Sequence, residues 1–486
     1  MTATRGSVRR AFDAFAFAAA ALFAIATAAV AFRNSHFALD DFAGFFLAHA
    51  EPFWRAALTP IDLHFVPLHR LVNEAVYTLA PFDFGVALAV LFVAHALALV
   101  GLYATLQRLR DSPVNPVLLC FYASNVYLGV LFLWWTSGLH RLPYIALAIW
   151  TLYHYVGFRT DGSWRSLLFA AACFVGALGF YSKAPLIPVA LLGLEICLLP
   201  RTPRGELKRN LLAVAGLLVL GAAYLLAGRL LVDSRFGALH LDPGFLLEFE
   251  VMSSALLAQG VFGVVAPGGS PAAVVAVAAG WLALAAITIA FRPWNAVVWS
   301  TGFAVVALNL GVIGISHRTA NFGLTTVWSY RYYFELMHLV VLFSALALHD
   351  LPDGPIVSRI GARGLGRRAA AVVAALLLCA LFAASFRGFG ELLELDRYRI
   401  HREAKIFLDN FRRDLEAVRR QPPGEATFVY GLVPERITGK PAAHVRRHSD
   451  FVALFGMEGR FDPNASHRYQ ILDDGRIRRV YRPAKP

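Results

Sequence analysis

The stretch RGSVRRAFDAFAFAAAALFAIATAAVAF (residues 5–32) decides the class of fold. After the basic pair Arg9 and Arg10, it continues as an apolar run of roughly 20 residues, the length that an α-helix needs to cross a bilayer. The apolar core of a secretory signal peptide is shorter, and further apolar runs follow this one. The stretch therefore predicts a first transmembrane helix that the protein retains.

Similar apolar runs recur along the chain. Of its 486 residues, 58% are hydrophobic and only 16% are charged, whereas soluble domains contain about 25% charged residues. We therefore predict an all-α polytopic membrane protein with about 11 transmembrane helices. The predicted spans lie at about 11–32, 84–106, 114–133, 143–158, 167–183, 185–199, 211–230, 272–291, 296–315, 334–349 and 369–386.

The distribution of basic residues predicts the orientation. The net charge of +13 is typical of nucleic-acid-binding proteins as well as of membrane proteins. Here, however, Lys and Arg gather in short segments between the apolar runs, such as QRLRDS (107–112), RTPRGELKR (201–209) and RIGARGLGRR (359–368). Cytoplasmic loops carry such an excess, so we predict an N-terminus inside and no nucleic-acid partner. The Ala-, Leu- and Arg-rich usage favours a bacterial inner membrane.

This orientation places two long loops, about 33–83 and 231–271, on the outer side. The second contains LLEFEVMSSALLAQGVFGVV (246–265), which we expect to lie along the membrane interface. The C-terminal tail is also predicted outside. We therefore divide the chain into a transmembrane domain, 1–386, and an extracytoplasmic domain, 387–486.

The composition of the tail differs from that of the preceding chain. Apolar residues recur at helical spacing over 388–419, which predicts an amphipathic helix. Two strand-like pieces follow, TFVYGLV (427–433) and IRRVY (477–481), separated by Gly and Pro. The tail is therefore predicted to be a small α/β domain.

The first outer loop contains an acidic pair, Asp40 and Asp41, in HFALDDFAGFF (36–46). One interpretation is that the pair caps a short interfacial helix beginning near Phe42. The other is catalytic: one carboxylate takes a proton from an acceptor hydroxyl or amine. The second acid would then orient the first, hold a divalent metal ion or raise the pKa of its neighbour.

Three cations lie at outer ends of predicted spans: Arg141 in SGLHRLPY (137–144), Lys183 in GFYSKAPLIPVALLGLE (179–195) and Arg331 in VWSYRYYFELMHLV (327–340). Each has a simple interpretation, since Lys snorkels towards headgroups and Arg anchors aromatic belts. Together they predict an anionic partner, for which phosphate is the natural choice. His64 and Arg70 in the first loop would form a polar wall opposite the acidic pair.

These features, in this order and on one predicted side, resemble the GT-C superfamily of integral membrane glycosyltransferases. That superfamily includes protein O-mannosyltransferases and the enzymes that modify lipid A with aminoarabinose. The resemblance rests on four segments between about 11 and 350: Asp40–Asp41, the segment 64–109 with His95 within its span, YSKAPLIPVALLGLE (181–195) and YRYYFELMHLVVLFSALAL (330–348).

The resemblance implies an enzyme that moves a sugar from a polyprenyl-phosphate-linked donor to an extracytoplasmic protein, lipid or glycan, by an inverting displacement. Its partners would be that donor, membrane lipid and the acceptor. Asp40 would be the catalytic base and Asp41 the supporting acid. The donor phosphate would be bound by Lys183, Arg331, Arg141 and Arg70, and the substrate pocket would contain His64, Tyr181, Tyr330 and Tyr333. No cofactor is required, and a divalent metal ion is an option.

The chain departs from the family pattern at two positions. Ala184 follows Lys183 where the family has an acid, and Val66 stands in place of an Arg, for which Arg70 or His64 would substitute. Two other functions stay open from the residues. A transporter or flippase of lipid-linked sugars would place polar groups near the bilayer midplane, where this chain has little besides His95. A non-catalytic envelope protein of the same fold would use the tail to bind partners.

Overall fold

The computed structural model describes residues 2–60, 64–231, 241–263, 271–349, 364–421, 426–429, 431–439, 446–457 and 467–480. These residues are overwhelmingly helical, which confirms the predicted all-α membrane region in its coarse form. The helices, in chain order, are α1 Thr2–Asn34, α2 Asp41–Ala50, α3 Phe53–Leu58, α4 Pro67–Leu79, α5 Phe84–Leu109, α6 Asn115–Ala123, α7 Leu128–Leu133, α8 Trp135–Asp161, α9 Trp164–Phe180, α10 Ile187–Leu198, α11 Arg204–Leu231, α12 Pro243–Val261, α13 Pro271–Phe291, α14 Asn295–Gly314, α15 His317–Phe322, α16 Arg331–Phe334, α17 Met337–Leu348, α18 Gly364–Leu393, α19 Asp396–Arg419, α20 Glu435–Thr438 and α21 His448–Ala453. Short 3₁₀ turns cover Ala184–Leu186, Leu199–Arg201 and Gly323–Trp328.

Within the described residues, seven helical segments are long and apolar enough to cross a membrane. Their number fits a multi-pass membrane protein. They are Arg10–Asn34, Phe84–Leu109, Ala184–Arg201, Arg204–Leu230, Asn295–Gly314, Arg331–Leu348 and Val372–Leu393. Each coincides with one of the predicted spans. Two further apolar helices, Trp164–Phe180 and Ala278–Phe291, are shorter.

One predicted span, 114–133, is wrong as a single helix. The structure has two helices there, α6 and α7, separated by a turn. In that turn the side chain of Asn125 accepts a hydrogen bond from the backbone N–H of Tyr127 at 2.9 Å. An asparagine that bonds to the backbone two residues ahead favours a turn over a continuing helix.

The predicted spans 114–133 and 143–158 leave a turn between them, and this prediction is also wrong, because residues 135–142 form the first turns of α8. The helix begins at Trp135 and continues past Pro143. Its first turn is stabilised by Asp41, whose carboxylate accepts a hydrogen bond from the backbone N–H of Thr136 at 2.8 Å. The helix packs between α5 and α9, and Arg141 is buried in it instead of lying in an outer turn.

The predicted interfacial segment 246–265 falls mainly in helix α12, which packs against α13 and α14. Residues 264 and 265 of the predicted segment lie outside the described residues, as does most of the rest of the predicted loop 231–271. The helix is not among the seven apolar segments. Its position relative to the membrane stays a prediction.

The C-terminal residues contain helices and a small sheet. The predicted amphipathic helix is confirmed over α19, whereas residues 388–393 of the predicted segment belong to the end of α18. Helix α19 buries Phe407, Phe411 and Leu415, whereas Ile406 is exposed. Strand β1 (Ala426–Phe428) pairs in parallel with β2 (His467–Ile471), and β2 pairs antiparallel with β3 (Ile477–Val480). Strands β1 and β3 lie at the predicted pieces. The predicted domain boundary at 386 falls within α18, and the division into domains stays a prediction.

The C-terminal segment packs on the first loop. Phe455 stacks on Phe82, with ring centroids 4.1 Å apart, and Tyr77 donates a hydrogen bond to the carbonyl of Leu454 at 3.1 Å. Closer to the acidic pair, the N–H of Leu39 donates to the carbonyl of Ile437 at 2.7 Å. The tail therefore contacts the loop that carries Asp40 and Asp41.

Candidate functional site

Asp41 is fully buried, and its side chain accepts hydrogen bonds from backbone N–H groups. One of its oxygens accepts a hydrogen bond from the N–H of Ala38 and the other from the N–H of Thr136, both at 2.8 Å. Burial, followed by the charge of Asp40, raises the pKa of Asp41 to about 8, while these hydrogen bonds act in the opposite direction. The sequence allowed a capping role for one of the pair. The helix that Asp41 stabilises is α8, however, and not the short helix that follows the acids.

Asp40 is the acid that faces other side chains. It occupies the N-cap position of α2 but makes no side-chain cap there. Instead, its Oδ1 accepts a hydrogen bond from the indole N–H of Trp134 at 2.7 Å. The preceding residue, Leu39, has a φ of 58°, in the left-handed region that non-glycine residues rarely adopt. Such conformations gather at functional sites.

Trp134 contacts both Asp40 and Arg331, which is one of the three predicted cations. The guanidinium carbon of Arg331 lies 4.3 Å from the centroid of the indole, which is a cation–π contact. Arg331 is buried at the beginning of α16. Asp40 and Arg331, which are far apart in the sequence, therefore contact the same indole.

Tyr332 connects Arg331 to Arg141. The two guanidinium carbons lie 5.5 Å and 5.1 Å, respectively, from the centroid of the Tyr332 ring. Arg141 also lies 5.1 Å from the ring centroid of Tyr181 and donates a hydrogen bond to its hydroxyl at 3.3 Å. A fourth cation, Arg318, is close enough to interact electrostatically with both Arg331 and Arg141.

Lys183 joins the same group through Glu335. The Nζ of Lys183 donates to one oxygen of this carboxylate. The Nε of Arg141 lies 3.2 Å from the other oxygen. The side chains of Lys183, Arg141 and Glu335 are 8%, 6% and 2% exposed, so the ion pairs are screened little by solvent. We call Asp40, Trp134, Arg331, Tyr332, Arg141, Glu335 and Lys183 the charged cluster.

His64 and Tyr181 lie beside the charged cluster. The Nδ1 of His64 is 2.8 Å from the hydroxyl of Ser182, and its ring centroid is 6.5 Å from that of Tyr181. Two more histidines adjoin them, since the rings of His69 and His140 stack with centroids 3.9 Å apart. Burial, and then the charge of Arg70, lowers the pKa of His69 to about 3, so this ring is neutral.

Three predicted site residues lie elsewhere. The guanidinium of Arg70 donates to the carbonyls of Thr59 and Pro60, at 3.1 Å and 3.5 Å, within the first loop. Tyr330 stacks on Tyr127 at 5.1 Å, and Tyr333 donates to the carbonyl of Val327 at 2.5 Å. Both tyrosines pack against Tyr127. The roles of all three residues in the site stay predictions.

The charged cluster contains three residues that the sequence did not single out, Trp134, Tyr332 and Glu335. Glu335 is an acid within an apolar span, and ionisable residues at such positions are usually functional. Trp134 directly precedes helix α8, and nothing in the sequence around it indicates its partners. Among the described residues, no group of three or more His, Cys, Asp or Glu side chains is arranged to hold a metal ion.

A cavity of about 540 Å³ lies between the first loop and the C-terminal segment. Its lining includes His49, Tyr77, Arg412 and Phe455, and none of the predicted site residues. Its chemistry is therefore separate from that of the charged cluster.

The sequence matches no protein-family model, and no curated protein is detectably similar to it.

Proposed function

We propose that the protein is an integral membrane glycosyltransferase of GT-C type, which moves a sugar from a polyprenyl-phosphate-linked donor to an extracytoplasmic acceptor. The observation that carries this proposal is the charged cluster. Asp40, Arg141, Lys183 and Arg331 come from four distant segments and are connected through the side chains of Trp134, Tyr332 and Glu335.

The charge of the cluster supports an anionic ligand. Its three cations are accompanied by two carboxylates, those of Glu335 and Asp40, and Arg318 adds positive charge nearby. Removing cations from water is costly unless negative charge compensates them. A phosphate group would supply that charge, since Arg matches its geometry with paired N–H groups and Lys acts on it as a point charge.

The proposed reaction is a displacement at the anomeric carbon of the donor sugar. The carboxylate of Asp40 takes the proton of the acceptor hydroxyl or amine, and the acceptor atom forms the new bond to carbon. The bond between that carbon and the phosphate oxygen breaks at the same time. The phosphate leaves with the electron pair, and Arg331, Arg141 and Lys183 stabilise its added negative charge. Asp40 then releases the proton to water.

Glu335 compensates for one departure from the family pattern. The family has an acid directly after the lysine, where this chain has Ala184. Here the carboxylate beside Lys183 comes from Glu335 on another segment. We infer that Glu335 reduces the repulsion between Lys183 and Arg141 while the donor is absent.

The remaining parts of the proposal concern topology. Eleven spans, an N-terminus inside and a bacterial inner membrane would put the charged cluster and the tail, 387–486, on the outer side. The basic segments between the apolar runs support this orientation. A transporter or flippase of lipid-linked sugars is the competing function, and it is separated by experiment because it would leave the donor bond intact.

The test is cleavage of a donor. Purified protein in lipid nanodiscs receives polyprenyl phosphate carrying a radiolabelled sugar, together with an extract of envelope acceptors. We expect labelled product and free polyprenyl phosphate from the wild type, and a loss of about 100-fold or more for Asp40→Asn. Glu51→Gln is the matched control, since Glu51 is an acid of the same loop paired with Arg55. Wild-type rates in Asp40→Asn would overturn the proposed base, and an intact donor with wild-type protein would favour the flippase.

A further inference from the structure

Trp134 contacts residues from three separate segments. Its indole N–H donates to Asp40, and its face is covered by Arg331. The ring of His401 lies 5.7 Å from the indole, tilted by 56°. His401 belongs to helix α19, so the C-terminal tail reaches the same indole as the proposed base and a proposed phosphate ligand.

His401 is buried and neutral. It is 1% exposed, and its Nδ1 has no hydrogen-bond partner within the described part of the chain. Burial, and then the charge of Arg331, lowers the pKa of His401 to about 3. An uncharged ring can pack on the indole without adding to the positive charge of Arg331.

The same turns of α19 also hold the segment that leads to Arg331. Arg397 donates a hydrogen bond to the carbonyl of Trp328. Tyr398 stacks on Tyr330, with ring centroids 6.3 Å apart. The beginning of α19 therefore contacts both Trp134 and the segment that leads to Arg331.

A second part of the tail holds the residue before Asp40. The N–H of Leu39, in its left-handed conformation, donates to Ile437. Gly439 has a φ of 70° and packs so closely that a Cβ there would lie 3.1 Å from the Cα of Leu39. The tail thus supports an unfavourable backbone conformation directly beside the proposed base.

We propose that the C-terminal tail is part of the active site, and that His401 is a positioning residue that fixes the indole of Trp134 and, through it, the carboxylate of Asp40. The catalytic meaning of this inference rests on the proposed glycosyl transfer. The tail must then keep its contacts with Trp134 and Leu39 during each turnover, and it is not only a module that binds partners.

The first test is a double-mutant cycle on the rate of donor cleavage. We expect His401→Ala to lower the rate about 10- to 100-fold, since a small displacement of a catalytic group has such effects. Trp134→Phe removes the indole N–H and should cause a similar loss. Because His401 acts through Trp134, the double variant should be little worse than Trp134→Phe alone. Losses that multiply would overturn the proposal.

Conservative replacement separates positioning from general damage to the fold. His401→Phe keeps a ring against the indole and should retain most of the activity. His448→Ala is the matched control, because His448 is a buried histidine of the same tail that bonds to the carbonyl of Val429. It should lower thermal stability but not the rate. A His401→Phe protein as inactive as His401→Ala would contradict a packing role.

Hydrogen exchange distinguishes a failure of this inference from a failure of the proposed function. Amide exchange of residues 36–46 should be faster in His401→Ala than in the wild type or His448→Ala. If the wild type cleaves no donor, the glycosyltransferase proposal fails, and faster exchange would still support the contact through Trp134. Unchanged exchange in His401→Ala would contradict the positioning role.

Discussion

Asp41 stands next to Asp40 in the chain, yet its carboxylate holds two backbone N–H groups, at Ala38 and Thr136, whereas Asp40 accepts from the side chain of Trp134. The two acids therefore have separate tasks. Asp41 links the first loop to the beginning of α8, and we expect this link to hold Asp40 in its place within the charged cluster.

Replacing Asp41 should destabilise the fold. Asp41→Ala leaves two buried N–H groups without an acceptor, each at a cost of roughly 1–3 kcal/mol. The control is Asp83→Ala, because Asp83 caps α5 through the N–H groups of Gly85 and Val86 at an exposed site. That change should cost only about 1 kcal/mol. Thermal unfolding in detergent measures the loss of stability in both variants. Equal losses would show that the buried hydrogen bonds of Asp41 stabilise the fold no more than an exposed helix cap does.

Asp41 also predicts a dependence of stability on pH. Its pKa in the fold is raised to about 8, compared with about 4 in an unfolded chain. Between these values the folded protein keeps a proton that the unfolded chain releases, so the free energy of unfolding falls as the pH rises. The difference in melting temperature between pH 5 and pH 8 should shrink in Asp41→Asn, whose amide does not titrate. An identical difference in both proteins would contradict the raised pKa.

The sequence predicted the positions of the apolar helices better than their interruptions. Hydropathy alone locates the seven long apolar segments, because a bilayer requires a minimum length of apolar helix. It did not show the turn at Asn125, which depends on one side-chain hydrogen bond, nor the continuation of α8 through Pro143. The turn depends on a single local hydrogen bond, and the beginning of α8 is bonded to Asp41, 95 residues away in the chain. An average over about 20 residues shows neither.

At the candidate site, the predicted residues are those whose charge is unusual for their position. Asp40, Lys183 and Arg331 were singled out for that reason, and the structure connects them. The residues that connect them, Trp134, Tyr332 and Glu335, were missed. Their roles follow from contacts between distant segments, and neither spacing nor composition contains that information.

Glu335 allows a test with an internal control. Glu335→Gln leaves Lys183 and Arg141 buried without their carboxylate, and breaking a buried pair in this way costs about 3–5 kcal/mol. Glu195 pairs with Arg159 at 3.1 Å and is buried to the same degree. Both glutamine variants should melt earlier, but only Glu335→Gln should change the affinity for polyprenyl phosphate. An equal effect on affinity would contradict a specific role for Glu335.

Two glycines of the tail test its contact with the first loop. Gly439 and Gly456 have φ values of 70° and 71°, but a Cβ meets Leu39 only at Gly439, whereas space around Gly456 is open. Alanine at either site should cost about 1 kcal/mol from the left-handed backbone conformation. Gly439→Ala should cost more, and it should also slow donor cleavage. Matching losses of stability and rate in both variants would show that the close contact has no effect.

As proposed, the charged cluster binds the phosphate of a lipid-linked donor. This binding is measured as the affinity of the purified protein for a polyprenyl phosphate, compared with its affinity for the uncharged polyprenol of the same length. Wild-type protein should bind the phosphate form at least about 10-fold more tightly, as expected for charge-assisted hydrogen bonds. The double variant Lys183→Met/Arg331→Met should lose this preference, and Lys208→Met, which changes an exposed lysine beyond the opposite end of α10, should keep it. A wild-type protein that binds both lipids equally, or a double variant that keeps the preference, would contradict the claim.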